Sequence, residues 1–447
     1  MLLPNAPDHL VSDNFSLLDA DTDLVLFWSL LPKIILPPAQ STSQLIEALE
    51  SIAITMRVKS APSYGFLRRF LDERWDNERF FRRTWARCVD LALEMSALFP
   101  DGTLAPLSSE NPCVAFSARQ IACLVVHQFL CTLPEFAHQA PDDSQDLSIW
   151  FHDDQPHPHA VEAYLTALFT YFDRIAGSDM AGDVSLTLCT GPPSQSMAQA
   201  SVEFRPIRII PLDAPNTSTT LMGIPRGACV ISANSHIGFG RTASQEEMQV
   251  GCTPTALPAK LVTPPLSDTK VLVVRGCAPV VEMVGYGRAA VLHRIVPAYE
   301  HDWSQRVMLF MDALELDGYD STSCTPDLLP GHIDRELNKA LTAFASDSYE
   351  EVVTGHWGCG AFGGNKEIKG VVQWCAASRA GVELAFVCDT QDSFGVDFKK
   401  FVDQALDRHW KVDDVLSVLA SIGPTDPARL SIFAALSTQM ERRVPQR

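Results

Sequence analysis

The sequence predicts an α/β protein: a layered domain of strands and helices, preceded by an all-helical N-terminal part. Three observations carry this. Residues 40–136 place apolar side chains at three- and four-residue spacing, the repeat that gathers one face of a helix. From about residue 180 the texture changes to short runs rich in Val, Ile and Leu, bounded by Gly, Pro or charge, as strands are. Helical stretches lie between and after those runs, and such a mixture packs as layers around a sheet.

The first part contains STSQLIEALESIAITM, FLRRFLDERWDNERFFRRTWARCVDLALEMSALF and FSARQIACLVVHQFLCTL, with Ser41 and Ser117 placed as N-caps. Arg82 and Arg83 read as a solvated helix face rather than a binding patch. APDDSQDLSIWFHDDQPHPHA, residues 140–160, reads as a flexible acidic surface loop in preference to a metal site built on its histidines. AVEAYLTALFTYFDRI is a further helix. The strand runs are VSLTLCT, RIIPL, GACVISA, KVLVVRG and LAFVCD. RELNKALTAFA, KEIKGVVQWCAASRAG and SFGVDFKKFVDQALDRHW are the helices among them. No internal repeat is visible. The expected domains are residues 1–178, helical and accessory, and residues 179–447, α/β with C-terminal helices.

Composition narrows the function. Apolar residues make up 46% of the 447, enough for a packed core and against general disorder. No uncharged apolar run is long enough to span a membrane, and the N-terminus lacks the basic start and apolar stretch of a signal peptide. The expectation is an intracellular protein, nuclear or cytoplasmic. The 12 cysteines are scattered without CxxC, which favours reduced thiols in core positions over a zinc site or a disulfide framework. A net charge of −19 argues against a basic groove tracking nucleic acid. It leaves open a small anion held by backbone N–H groups.

Two glycine-rich stretches carry candidate chemistry. In ISANSHIGFGRTASQEE a strand leads into Asn234, then Gly238, Phe239 and Gly240, then Gln245, Glu246 and Glu247. Glycines let backbone N–H groups approach an anionic ligand. Adjacent carboxylates point in different directions on a helix or a strand, so the two glutamates have different roles. On pattern alone a surface turn competes with a site here. In TGHWGCGAFGGNKEIKG, Gly355, Gly358, Gly360, Gly363 and Gly364 precede a helix starting near Lys366, a phosphate cradle without the lysine of a Walker loop. Trp357 and Phe362 are stacking candidates or core residues. Tyr286, between Gly285 and Gly287, is a stacking candidate or a turn tyrosine.

These blocks resemble the poly(ADP-ribose) glycohydrolase family. HWGCGAFGGNKEIKGVVQWCAASRAG is similar to that family's TGNWGCGAFGGD segment and following helix, and SQEE to its GGG-(x)n-QEE signature. QIACLVVHQFLCTLP, HDWSQRVMLFMDAL and DRELNKAL match further, in the family's order, over roughly residues 40–420. The resemblance implies a macrodomain, a mixed sheet between helices, with an N-terminal helical accessory domain. It implies hydrolysis of ribose–ribose O-glycosidic bonds with no metal and no cofactor. The implied partners are poly(ADP-ribose) and ADP-ribosylated proteins, with no direct nucleic-acid or membrane binding, and the protein is expected to be a monomer.

By position, Glu247 resembles the catalytic acid/base, and Glu246 the residue that binds ribose hydroxyls. Asn234 would orient ribose and Glu247. Gly238, Phe239, Gly240 and Gln245, with Gly358, Cys359, Gly360, Ala361 and Phe362, would line the diphosphate and distal ribose. Tyr286 falls on an aromatic that packs over the ligand. Three departures stand out. The triple glycine is GFG here, so Phe239 is expected to add bulk beside the diphosphate. The RTAS spacer is short, which would shift the glutamates relative to the glycines. Ile231 replaces an aspartate. These departures favour the alternative of a catalytically weak or inactive ADP-ribose-binding module. An adenine-side contact in TSTTLMGIP and a second aromatic near LAFVCD cannot be placed from the sequence.

Overall fold

Ser41 and Ser117 both start helices. In the computed structural model the Ser41 hydroxyl accepts from Gln44 N at the head of Thr42–Thr55, and Ser117 forms a reciprocal capping box with Gln120 at the head of Ala118–Phe129. The structure describes residues 1–18, 24–56, 63–133, 145–177, 182–191, 202–212, 227–320, 324–389, 393–424 and 431–443. Its contacts divide the chain into two units, both discontinuous in sequence. The first comprises Met1–Leu186, Gly238–Pro264 and Gly276–Ser304; the second comprises Thr187–Ile237, Pro265–Arg275 and Gln305–Arg447. Two segments that follow residue 179 in sequence therefore belong with the helical unit.

The first unit packs around the helix Pro158–Ala176, whose Phe169 and Phe172 meet Phe129 edge-on at centroid distances of 5.7 and 5.5 Å. Phe80 and Phe81 are neighbours in sequence yet both are buried, because a π turn at Phe80–Thr84 re-spaces the helix there. Arg82 and Arg83 are exposed, as expected. The stretch read as a flexible acidic loop is built differently where it is described. Asp146 caps a short 3-10 turn, Leu147–Trp150, and Leu147, Trp150 and Phe151 are fully buried. Three large apolar side chains outweigh the surrounding acids, since burying each contributes roughly 1.5–3 kcal/mol.

The second unit is built on a mixed sheet. Seven of the sheet's eight strands are β1 (Val184–Thr190, entering from the first unit), β2 (Ile207–Pro211), β3 (Gly227–Ala233), β4 (Lys270–Arg275), β5 (Arg306–Asp312), β6 (Glu351–Thr354) and β7 (Glu383–Cys388). They run in the order β1-β4-β5-β3-β6-β7-β2. β5, β3, β6, β7 and β2 are mutually parallel along this series, and β4 is antiparallel to β5. The parallel strands send their C-terminal ends to one side, the side where open α/β sheets bind ligands. Helices His332–Phe344 and Lys366–Ala380 follow β5 and β6. The core includes Trp374 stacked on Phe204, with centroids 3.9 Å apart. β5 is a strand the sequence reading did not place. All seven of its residues are buried, and an unbroken VMLFM run shows neither the alternation nor the β-branching of a half-exposed strand.

Eight of the twelve cysteines are buried, in keeping with core positions. Among the described residues no helix is long and apolar enough to cross a membrane.

His127 illustrates how tightly the helical unit is sealed. Its Nε2 lies 3.0 Å from the Ala92 carbonyl oxygen, which can only accept, so Nε2 carries the proton; Nδ1 lies 2.7 Å from Thr132 Oγ1. Burial lowers its pKa to about 4. The unfolded chain takes up this proton near pH 6.5 and the folded chain only near 4. The stability it contributes is therefore complete above about pH 6.5 and is lost as pH falls toward 4, by about 3 kcal/mol in all. Urea titrations across pH 7.5 to 4 should show this decline. His127→Gln should flatten that part of the profile, and an unchanged slope in the variant would exclude His127 as the cause.

Candidate functional site

Ser244-Gln245-Glu246-Glu247 has the S-x-x-E spacing of a capping box, a signal the sequence reading passed over in favour of chemistry. The structure forms that box at the head of the helix Gln245–Gly251. Ser244 Oγ accepts from Glu247 N at 3.3 Å. Glu247 Oε2 accepts from Ser244 N at 2.9 Å, Thr242 N at 3.0 Å and Thr242 Oγ1 at 2.7 Å. Glu247 Oε1 accepts no hydrogen bond among the described residues. It packs on the Cα of Gly240, where a Cβ would overlap the carboxylate. Glu246 turns the other way, as adjacency on a helix requires. It is buried, and its Oε1 accepts from Gly238 N at 2.9 Å.

The short RTAS spacer is thus bridged by the glutamates themselves: Glu246 reaches Gly238, and Glu247 reaches Gly240, Thr242 and Ser244. The tightness is visible in Ala243, buried with φ +55°, a conformation that costs a non-glycine residue about 1–2 kcal/mol. Its carbonyl accepts from Gly287 N at 3.2 Å, tying the spacer to the turn that carries Tyr286. That turn joins the hairpin strands Val281–Val284 and Val291–Ile295. The Tyr286 ring is exposed. Partial enclosure of its hydroxyl and the nearby Glu247 charge push its pKa up.

Phe239 does not behave as its place in the motif suggested. Its φ is not positive, and its ring is buried against Trp150, with centroids 5.5 Å apart, below the Lys260 ammonium at 5.3 Å. Trp150 Nε1 also donates to the Gly240 carbonyl at 2.8 Å. The extra bulk therefore anchors the glycine segment in the helical core and is not presented on the loop surface. Trp150 escaped the sequence reading because it sits among acids and prolines. Gln245 opens the helix and is half-buried.

The other candidates lie in the second unit. Asn234 directly follows β3, and its Oδ1 accepts from His236 N at 2.9 Å, closing an Asx turn. Ile231, two positions before the end of β3, is fully buried opposite Phe310. The loop 355–365 follows β6, the parallel neighbour of β3, so Asn234 and this loop leave the same end of the sheet. Trp357 is a core residue, fully buried with Nε1 donating to Met311 O at 2.9 Å. Gly358 has φ +71°, and a Cβ on it would press into the Ala313 methyl, so no other residue fits without a shift.

Past that point the loop folds on itself: Cys359 N donates to His356 O, Gly363 N to Gly360 O and Gly364 N to Gly358 O. Among the described residues the N–H groups of Gly358, Gly360, Ala361 and Phe362 donate to no protein acceptor. Three consecutive unspent donors ahead of a helix N-terminus make a concavity suited to an anion. Asn365 caps that helix, accepting from Glu367 N and Ile368 N. Burial pushes the Cys359 thiol up to about 12, so it stays protonated at neutral pH and is no nucleophile. Phe362 is half-buried against the core. Phe386, in LAFVCD, is fully buried among His356, Phe394 and Phe398. TSTTLMGIP lies outside the described residues.

Known proteins give the arrangement a context. Residues 217–394 match a family model described as poly(ADP-ribose) glycohydrolase (PARG), macro domain fold, and residues 73–188 match the model of the PARG helical domain. The chain is 23% identical over 296 residues to poly(ADP-ribose) glycohydrolase 1 of Caenorhabditis elegans, covering 62% of this chain and 37% of that protein. It is 38% identical over 72 residues to poly(ADP-ribose) glycohydrolase 1 of Arabidopsis thaliana, covering 15% and 12%. It therefore spans well under two thirds of these curated relatives. A solved structure of poly(ADP-ribose) glycohydrolase from Deinococcus radiodurans in complex with ADP-ribose aligns at 15% identity and a TM-score of 0.30, covering 49% of this chain and 95% of that one.

The contact between Gly240 and Glu247 can be tested directly. Gly240→Ala should displace the Glu247 carboxylate and destabilise the chain by about 1–3 kcal/mol in urea denaturation. Ala243→Gly should stay within about 1 kcal/mol of wild type, because relief of the positive φ offsets the lost methyl. Equal losses in both variants would contradict this geometry.

Proposed function

The chain belongs to the poly(ADP-ribose) glycohydrolase family, and on that premise we propose that it hydrolyses the ribose–ribose O-glycosidic bonds of poly(ADP-ribose), releasing ADP-ribose. The observation that carries this reading is the division of labour within residues 238–251. Glu246 is buried and bonded to the backbone, whereas Glu247 is half-buried with one oxygen uncommitted among the described residues. In the proposed reaction Glu247 Oε1 carries the proton and delivers it to the departing ribose hydroxyl oxygen as the bond from that oxygen to the anomeric carbon breaks. The resulting carboxylate accepts a proton from the water that attacks the oxocarbenium-like carbon, and this restores the acid. Oε2, held by three donors, keeps the carboxyl plane fixed through both steps.

Glu246 binds ribose hydroxyls in this scheme, Gln245 and Asn234 orient the sugar, and Tyr286 packs over the ligand. Phe239 and Gly240, and in the second unit Gly358, Gly360, Ala361 and Phe362, offer backbone N–H groups to the diphosphate and distal ribose, while the N–H groups of Gly238 and Cys359 are bonded to Glu246 and His356 and hold those segments in shape. No metal or cofactor is required. The partners are poly(ADP-ribose) and ADP-ribosylated proteins. The protein acts as a monomer inside the cell, in the nucleus or cytoplasm, reversing a modification made during the DNA damage response.

One observation favours a second reading, that of an ADP-ribose-binding module with little or no turnover. Both glutamates already have structural work, one on Gly238 N and one in the capping box. Their presence is explained without catalysis.

Poly(ADP-ribose) digestion decides between the two. Wild type should release free ADP-ribose. Glu247→Gln should lose roughly 10²–10⁴-fold in rate. Its folding stability should stay close to wild type, because the amide oxygen still accepts from Thr242 and Ser244. Glu247→Ala should lose the activity and also about 1 kcal/mol of stability, the usual scale of a lost cap. Chain binding by wild type with no release would establish the module reading.

A further inference from the structure

We infer that Lys369 is a positioning residue for the glycine loop, holding both ends of the Gly358–Gly364 segment so that its unspent N–H groups face one ligand. This rests on the reading of that loop as the ADP-ribose diphosphate site. Lys369 is buried on the first turn of the helix Lys366–Ala380. Its ammonium pairs with Glu336 and lies 3.7 Å from Asp327 Oδ1. The end of its stem runs beneath the Cα atoms of Gly358 and Gly364, the two residues whose hydrogen bond, 2.9 Å, closes the loop. Above it lies the Trp357 ring, 5.0 Å from Nζ, immediately before the loop.

The two acids extend the hold. Asp327 Oδ2 accepts from Asn365 N at 2.9 Å, at the exit of the loop. Glu336 Oε1 accepts from Leu314 N at 3.1 Å, and Leu316 N, two residues on, donates to the Phe362 carbonyl at 2.8 Å. The entry, the exit and the crest of the loop thus all connect to one buried ammonium and its partners. Because that ammonium faces two carboxylates, its contribution to an anionic ligand is geometric rather than a free positive charge. Displacing the donors by about 1 Å is enough to cost on the order of 10²-fold in function.

The test uses the full chain and the double variant Lys369→Met/Glu336→Gln, which removes both charges and leaves neither of this pair buried alone. Arg379→Met, which breaks the Arg379–Asp413 pair at the far end of the same helix, is the control. Three quantities are measured: amide hydrogen exchange, the Kd for ADP-ribose by calorimetry, and kcat and KM on poly(ADP-ribose). The double variant should speed exchange across 358–364 at least about tenfold while leaving β3 and β5 protected. It should raise Kd and KM roughly 10–100-fold and change kcat by less than about threefold. Arg379→Met should do neither.

Wild-type exchange and Kd in the double variant would overturn the inference. So would faster exchange spread evenly over the second unit, which marks an ordinary core ion pair. If the double variant does not fold, Glu336→Gln alone should move the same quantities in the same direction by less, and no local change there would overturn it equally. If wild type binds no ADP-ribose, the functional reading fails, and the exchange pattern still decides whether Lys369 positions the loop.

Discussion

The α/β unit depends on a set of charges buried in its interior. Lys339 has no exposed surface and spends its three ammonium protons on Asp312 Oδ1, Ser267 O and Lys270 O, at 2.6, 2.6 and 2.8 Å. Arg335 bridges Asp312 and Glu336, and Glu336 in turn holds Lys369. Burial lowers the pKa of Lys339 against the pull of Asp312, and raises that of Asp327 against the pull of Lys369. Each charge is tolerable only because its neighbours are present, since removing one partner of a buried pair costs about 3–5 kcal/mol. The network joins the end of β5, the helix His332–Phe344 and the helix that follows the glycine loop. Those are the elements that set the shape of the loop.

This network accounts for sequence blocks that look unrelated along the chain. HDWSQRVMLFMDAL supplies Asp312, DRELNKAL supplies Arg335, Glu336 and Lys339, and NKEIKG supplies Lys369. None of these residues touches the ends of the loop in sequence except Lys369. Each of these three blocks lies in a stretch that resembles the family, and each supplies part of the network. Sequence periodicity does not reveal them. A lysine among apolar helix residues reads as a break in the pattern until its partner is seen.

Much else was legible. Ser41 and Ser117 were readable as caps, because a hydroxyl ahead of an apolar-periodic run has one main local use. The strands VSLTLCT, GACVISA, KVLVVRG and LAFVCD were readable because β-branched residues and turn signals coincide. β5 was not, since its burial comes from neighbours on both edges and from both faces. The place of the Phe239 ring is not legible locally for a related reason. Its position in the motif pointed to the ligand, but its ring is aimed by Trp150, 89 residues earlier in the chain, and no local rule contains that contact. The glycine loop was read as a cradle from its glycines alone. Which of its N–H groups are unspent required the three backbone bonds that close it.

The two glutamates show what a motif can and cannot certify. A QEE run on a helix N-terminus preceded by serine satisfies two demands with the same atoms. Glu247 supplies the capping box through Oε2, and Glu246 supplies the bond that holds Gly238. A chain that bound ADP-ribose without cleaving it would keep both for the sake of its fold, so the presence of the pair does not distinguish an enzyme from a reader. The two readings differ in the use they give the remaining oxygen. The capping box makes no use of Glu247 Oε1, since its three donors all reach Oε2. A Cβ on Gly240 would overlap that oxygen, so the glycine leaves Oε1 its place against the chain. In the proposed hydrolysis that oxygen is the one that carries the proton, a use that lies outside the capping box.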